Sequence, residues 1–240
     1  MLARVVRRLV RTRVGRQVLA AAAIADPETA LGAAGFALER RMYFAGVTCW
    51  PPSVDGFEDC AIVFSSNHAN HGIAQLTLEE GAHLYRLVKT TPGPHVEIGR
   101  YKGGGTFLMA AALRDGDELY SYDTLEKVGR DVDQEIRLAL DRYHFGKRVH
   151  LIVGDSHVVQ LPTTAFGVVF LDGDPSYEGT RSDVERWGDE LRKGGHLTLH
   201  DATPGASRYD EIGRLVDELT VDPRYGRCPD VGSIVHFVRR

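Results

Sequence analysis

The chain has 240 residues, 43% hydrophobic and 26% charged, an ordinary balance for one soluble α/β domain with a modest N-terminal extension. Its net charge of −4 hides an asymmetry: six arginines and no acid in the first 20 residues leave −10 on the other 220. An acidic body argues against a nucleic-acid substrate, whose phosphates demand a basic footprint, and favours a small-molecule or sugar-sized partner.

In the first segment Leu2, Val5, Val6, Leu9, Val10, Val14 and Val18 recur at helical spacing with arginines between them. Residues 1–20 therefore read in one of two ways. One is an amphipathic helix at an anionic lipid surface, a peripheral contact at the inner membrane face. The other is a helix packed on the body, or on a second copy in a homo-oligomer, with solvated arginines. The charged region is too long, and the apolar stretch at 18–24 too thin, for a signal peptide. A second helix is expected over 27–44, because Asp26 can cap and Pro27 suits a first turn. Residues 46–60, with Pro51-Pro52 and Gly56, read as a loop. Residues 1–76 are thus expected to form a helical extension and loop, and residues 77–240 the main domain.

Thr77-Leu78-Glu79-Glu80 has capping-box spacing, and Leu84, Leu87 and Val88 supply an apolar stripe to a helix that ends before Pro92-Gly93-Pro94. Strand-like runs come next at 95–98, 119–122, 149–153, 168–171 and 197–199. Helical stretches lie between them at 107–114, 132–143 and 183–193. This alternation predicts a doubly wound, mostly parallel α/β sheet. A last helix at 209–219 leads into 233–238, expected to belong to a terminal hairpin. Cys49, Cys60 and Cys228 are an odd, unpatterned set, read as reduced thiols of a cytoplasmic protein. No apolar run approaches bilayer-crossing length.

Ligands on a parallel sheet sit at the carboxyl ends of its strands, so the residues just past each strand are informative. After the first strand comes Gly99-Arg100-Tyr101-Lys102-Gly103, then Gly104-Gly105-Thr106 opening a helix. After the second comes Asp123, and after the third Gly154-Asp155-Ser156-His157. After the fourth comes Asp172-Gly173-Asp174, and after the fifth His200-Asp201. The glycine loop resembles a nucleotide-binding turn but departs from two known spacings. Gly99 lacks a glycine two places on, as a dinucleotide fingerprint requires, and no Gly-Lys-Ser/Thr closes it as in a P-loop.

These motifs resemble the class I S-adenosylmethionine-dependent methyltransferases. From about residue 72 to 201 the likeness is to small-molecule O-methyltransferases of the macrolide-sugar and rhamnosyl group, distant relatives of the catechol enzyme. It is carried by Glu97-Ile98-Gly99-x-Tyr101-x-Gly103-Gly104-x-Thr106, by Leu171-Asp172-Gly173-Asp174-x-Ser176-Tyr177-Glu178-Gly179, and by Gly194-Gly195 followed by His200-Asp201. The resemblance implies a seven-stranded Rossmann-like methyltransferase sheet. It implies that Glu97 and the loop bearing Gly99, Tyr101, Gly103 and Thr106 hold the methionine part of S-adenosylmethionine. Asp123 would accept the ribose hydroxyls, and Asp155 and Ser156 would meet the adenine edge.

Transfer to a hydroxyl needs a base or a cation to activate it. The resemblance to metal-dependent relatives places Asp172, His200 and Asp201 where a Mg²⁺ or other divalent cation is held. The alternative is a metal-free site in which Asp172 contacts the cofactor and His200-Asp201 forms a base with its orienter. Two departures stand out. Pro175 occupies the position where this family usually has His, so the usual base is missing, and Gly105 replaces a common serine. His200 becomes the first candidate base, with Asp174 and Tyr177 behind it. His68 and His71 either line the acceptor pocket or lie on the surface. The reading that emerges is O-methyl transfer to a small hydroxylated acceptor. Its rival is a catalytically degenerate binding protein of the same fold, associated with membranes.

Overall fold

The computed structural model describes residues 37–40, 47–64, 73–160, 165–203 and 210–240, with backbone alone at 37–40, 47–50, 61–62 and 210–211. The arginine-rich segment, His68 and His71 lie outside them. The chain divides into two compact units, Met1–Ile73 and Ala74–Arg240. In the first, β1 (Ala37–Arg40) pairs antiparallel with β2 (Val47–Trp50), Ala37 opposite Trp50. This corrects two expectations: the helix over 27–44 does not extend through 37–40, and residues 47–50 are not loop. Pro27 marks only where a helix can start, and Val47-Thr48-Cys49-Trp50 is rich in residues that favour a pleated strand. A 3₁₀ segment, Phe57–Phe64, comes after β2. Asp59 Oδ2 accepts the Asp55 and Gly56 N–H groups at its start, at 2.9 and 3.1 Å.

The second unit begins with α1 (Leu78–Thr90). The expected capping box is present: Thr77 Oγ1 accepts the Glu80 N–H and Glu80 Oε2 accepts the Thr77 N–H. Then come β3 (His95–Ile98), α2 (Gly104–Ala112), β4 (Leu119–Asp123), α3 (Arg130–Arg142), β5 (Val149–Val153) and β6 (Phe166–Leu171). The rest is α4 (Tyr177–Asp183), β7 (Leu191–Leu199), α5 (Asp210–Val221), β8 (Tyr225–Arg227) and β9 (Val235–Arg239). These strands make one seven-stranded sheet in the order β5-β4-β3-β6-β7-β9-β8. The pairings from β5 through β7 are parallel, and β9 runs antiparallel to both β7 and β8. The doubly wound, mostly parallel expectation and the terminal hairpin are both met.

One helix is displaced. Val184, Trp187 and Leu191 suggest a helix over 183–193, yet α4 starts at Tyr177, where Ser176 Oγ accepts the Gly179 N–H at 3.1 Å. It passes into a π turn, Val184–Gly188, and Leu191 already belongs to β7, paired with Phe166. Leu191 is buried like the other two, so three core residues from two elements imitate one helical stripe. The core lies under the middle of the sheet. Trp187, Phe166, Val169, Leu197, Val216 and Phe237 are fully enclosed there, each contributing roughly 1.5–3 kcal/mol through burial.

Candidate active site

The five parallel strand ends lie on one edge. Ile98 is in register with both Tyr122 and Leu171, Asp123 with Val153, and Leu171 with Leu199. The loops bearing Gly99, Asp123, Asp155, Asp172 and His200 therefore leave the sheet side by side. The order β4-β3-β6 reverses the direction of winding at β3, which is where such sheets open a crevice.

Gly99 has φ +86°, and a Cβ on it would collide with the Asp172 carbonyl oxygen. The loop after β3 thus lies directly on the start of the loop after β6. Gly103, φ +79°, is the N-cap of α2 and offers no side-chain cap. The first N–H groups of that helix are left for something other than this chain's own cap. Asp123 ties the arrangement together: Oδ2 accepts the Arg100 and Tyr101 N–H groups at 2.9 and 2.8 Å, and Oδ1 accepts that of Leu125 at 2.6 Å. A carboxylate has about four acceptor sites, so roughly one remains. Both ribose hydroxyls, as expected from the sequence, exceed that capacity. Tyr101, Leu125 and Asp201 all have positive φ (47°, 63° and 53°), strain of order 1–3 kcal/mol each that concentrates on this rim.

Beneath the loop Arg100 is buried. It donates to the carbonyls of Ser121 and Ile152 at 2.7 and 3.2 Å and to Asp133 Oδ1 at 2.7 Å. Asp133 also meets Arg137 at 3.3 Å, so α3 is stitched to the ends of β4 and β5. Glu97, 1% exposed, has Oε2 taken by the Thr106 hydroxyl at 2.5 Å and the Ser121 hydroxyl at 2.6 Å. Burial pushes its pKa up to about 7, against the opposing effect of those two hydroxyls and of Arg100. A Cβ at Gly105 would meet Glu97 Oε1, so a side chain there requires that carboxyl to shift.

His200 lies between two carboxylates. Its Nδ1 is 2.9 Å from Asp172 Oδ1, its Nε2 is 3.8 Å from Glu80 Oε2, and Asp201 stands 4.0 Å away. Burial alone would lower its pKa, but the hydrogen bond to Asp172, the nearby Glu80 carboxylate and the charges of Asp172 and Asp201 push it up to about 10. It is an imidazolium near neutrality, which opposes the expected role of base: a group that already holds its proton takes no other. The Asp172 side chain is about one-third accessible (35%), and desolvation of the part that is covered raises its pKa while His200 opposes the rise. Asp174 Oδ1 accepts the Ser176 N–H at 2.9 Å, and its other oxygen packs beside Gly179, so it serves the start of α4. The Tyr177 hydroxyl is engaged with Glu218 at 2.9 Å and with Arg181 at 2.9 Å.

Asp172, His200 and Asp201 do adjoin, as expected. The imidazole nitrogen nearest both acids is already hydrogen-bonded to Asp172. Among the described residues no group of three His, Cys, Asp or Glu is arranged to hold a metal ion. As placed, the trio is an ion-pair cluster and does not fit a divalent cation.

On the other flank Asp155 Oδ1 accepts the His157 N–H at 2.9 Å, and the His157 ring bridges Asp155 (3.1 Å) and the buried Asp183 (3.5 Å). Burial raises the pKa of Asp183, opposed by a hydrogen bond from Ser156 and by His157. Sequence reasoning singled out Asp155 and Ser156 but not Asp183, Arg100 or Glu80, which the structure brings to the same rim or behind it. The signal for Glu80 was present in its capping box, where it looked purely local.

Residues 96–202 match the family model described as a methyltransferase domain. A search of curated proteins gives no sequence match. Similar solved structures include the O-methyltransferase NovP, 19% identical over 71% of this chain and 83% of that one, with TM-score 0.58. An O-methyltransferase from Bacillus cereus in complex with SAH is 18% identical over 77% and 90%, with TM-score 0.57. A methyltransferase from Geobacter sulfurreducens is 18% identical over 76% and 85%, with TM-score 0.55. At such identities the likeness is one of fold. Among the described residues no helix is long and apolar enough to cross a membrane.

Proposed function

We propose that this chain, whose residues 96–202 form a class I S-adenosylmethionine-dependent methyltransferase domain, methylates a hydroxyl oxygen of a small acceptor such as a sugar or a glycosylated natural product. The observation that carries this reading is the single junction where the Gly99 turn rests on Asp172, Asp123 grips the same turn, and His200 bonds Asp172. Bound S-adenosylmethionine supplies a methyl group on a sulfonium, open to in-line displacement by an aligned nucleophile.

The chain's residues fit that cosubstrate. The uncapped first turn of α2 suits a carboxylate. The buried acid Glu97 suits an ammonium, and the remaining acceptor site of Asp123 suits one ribose hydroxyl. Asp155 and Ser156, just past β5, are assigned to the adenine edge by the family resemblance. Asp172 Oδ1 is committed to His200, which leaves Oδ2 to take the acceptor's hydroxyl proton. A burial-raised pKa makes this carboxylate a stronger base. The His200 imidazolium supplies fixed positive charge beside the oxygen as it loses that proton, a role a divalent cation plays in metal-dependent chemistry. The −10 carried by residues 21–240 disfavours nucleic acid as acceptor.

Calorimetry with S-adenosylhomocysteine, followed by methyl-transfer assays on a panel of hydroxylated small molecules read by mass spectrometry, tests the proposal. Binding together with methylation at oxygen supports it. No binding, or transfer confined to amines, overturns it.

A further inference from the structure

We propose that Glu80, in the first turn of α1, is a positioning residue for methyl transfer that acts through His200; this rests on the reaction proposed above. The third helical residue of a capping box ordinarily accepts one backbone N–H at a solvated helix end. Glu80 departs from that pattern. It is 3% exposed, and its two oxygens serve three separate parts of the domain. Oε2 accepts the Thr77 N–H at 2.7 Å. Oε1 accepts both the N–H and the hydroxyl of Ser233 at 2.6 and 2.8 Å, in the turn before β9. Oε2 also stands 3.8 Å from His200 Nε2, an ion-pair distance.

The turn is shaped around this carboxylate. Gly232 has φ +59°, and a Cβ there would collide with Glu80 Oε1. Enclosing a carboxylate is unfavourable unless hydrogen bonds and opposite charge compensate, and capping a helix does not require enclosure. The compensation comes from the Thr77 N–H and from the N–H and hydroxyl of Ser233, with the His200 ring nitrogen facing the same carboxylate. His200 in turn has one ring nitrogen on Asp172 and the other facing Glu80, so its ring plane is held from both sides. Asp172 Oδ1 is thereby fixed, and with it the direction in which Oδ2 faces the acceptor. Glu80 reaches the reacting atoms only through this chain of contacts, which makes its role one of alignment. A ring freed on its Nε2 side can swing and carry Asp172 out of line.

The experiment compares Glu80→Gln, Glu80→Asp and Thr77→Ala in the full chain. Thr77→Ala removes the hydroxyl that caps α1 but keeps the Thr77 N–H on Glu80 Oε2, so the carboxylate still faces His200. The expected result is that Glu80→Gln lowers kcat by about 10- to 100-fold, the scale of a small misalignment. Its affinity for S-adenosylhomocysteine stays within about twofold, because uniform binding is untouched. Thr77→Ala should lower Tm with kcat unchanged. Imidazole ¹⁵N NMR of His200 should show its ring signals displaced in Glu80→Gln and unmoved in Thr77→Ala. If Glu80→Gln fails to fold, Glu80→Asp, retracted by one methylene, must show the same split. Unchanged kcat and unmoved His200 signals in a folded Glu80 variant overturn the proposal. So does a loss of kcat in Thr77→Ala equal to that in Glu80→Gln, since that describes a purely structural part. If the wild type binds S-adenosylhomocysteine but methylates no hydroxyl, the proposed reaction fails instead. The NMR comparison then judges Glu80's hold on the ring by itself.

Discussion

Glu97→Gln should stabilise the cofactor-free protein at alkaline pH while weakening cofactor binding. Glu97 is fully enclosed, and burial raises its pKa from 4.5 to about 7. Below pH 4.5 the carboxyl is protonated in both folded and unfolded chains and has no effect on the balance. Between 4.5 and about 7 the unfolded chain ionises it while the folded one retains the proton, so stability falls as pH rises; above about 7 the loss is complete. At roughly 1.4 kcal/mol per pH unit, that interval is worth about 3 kcal/mol. Glutamine is nearly isosteric and can still accept from the Thr106 and Ser121 hydroxyls through its one carbonyl oxygen, without the buried charge. Urea unfolding at pH 5, 6, 7 and 8 should therefore show the wild type losing about 3 kcal/mol relative to Glu97→Gln across the series. Calorimetry at pH 8 should show the variant binding S-adenosylhomocysteine at least about tenfold more weakly, the loss of one charge-assisted contact. Parallel stability curves for the two proteins would refute the argument, because they would mean Glu97 titrates normally in the folded state.

Gly99→Ala should abolish measurable S-adenosylhomocysteine binding while leaving far-ultraviolet circular dichroism intact, because φ +86° and the Asp172 carbonyl both oppose a side chain there. Tight binding by that variant would disprove the loop contact. Arg100→Met should lower stability by about 3 kcal/mol, the low end of the range for breaking a buried pair, because Arg137 still faces Asp133. A denaturant midpoint like the wild type's would contradict it. Prolonged dialysis against a chelator should leave methyl transfer unchanged, because the Asp172–His200–Asp201 cluster does not fit a cation. Loss of activity restored by Mg²⁺ or Mn²⁺ would overturn that assignment.

The strands of the main sheet were legible because each combines a short apolar run with a polar residue at its end. β3 and β5 begin and end where the runs do. β7 was legible only at its far end. Its first residues, Leu191-Arg192-Lys193, continue the helical spacing of Val184 and Trp187, and the register shift between Phe166 and Val168 leaves no mark in composition. The rim acids were legible for a topological reason: parallel strands deliver their ends to one edge, so residues after successive strands must be neighbours. What those acids do to one another was not. The proton on His200 depends on Asp172, which comes after a different strand, and on Glu80, which precedes the first strand of the sheet.

Glu80 shows why that second kind of information is hidden. Its spacing from Thr77 fully accounts for a capping box, so the sequence offers no residue left over to demand another partner. The demand becomes visible only through burial, since a solvated cap would need neither Ser233 nor the positive φ of Gly232. The same logic applies to Asp123, where the strand-end position suggests a ribose acid. Three backbone N–H groups already draw on its oxygens. In both residues a local motif and a distant contact share one carboxylate, and lone-pair capacity limits how much each can take.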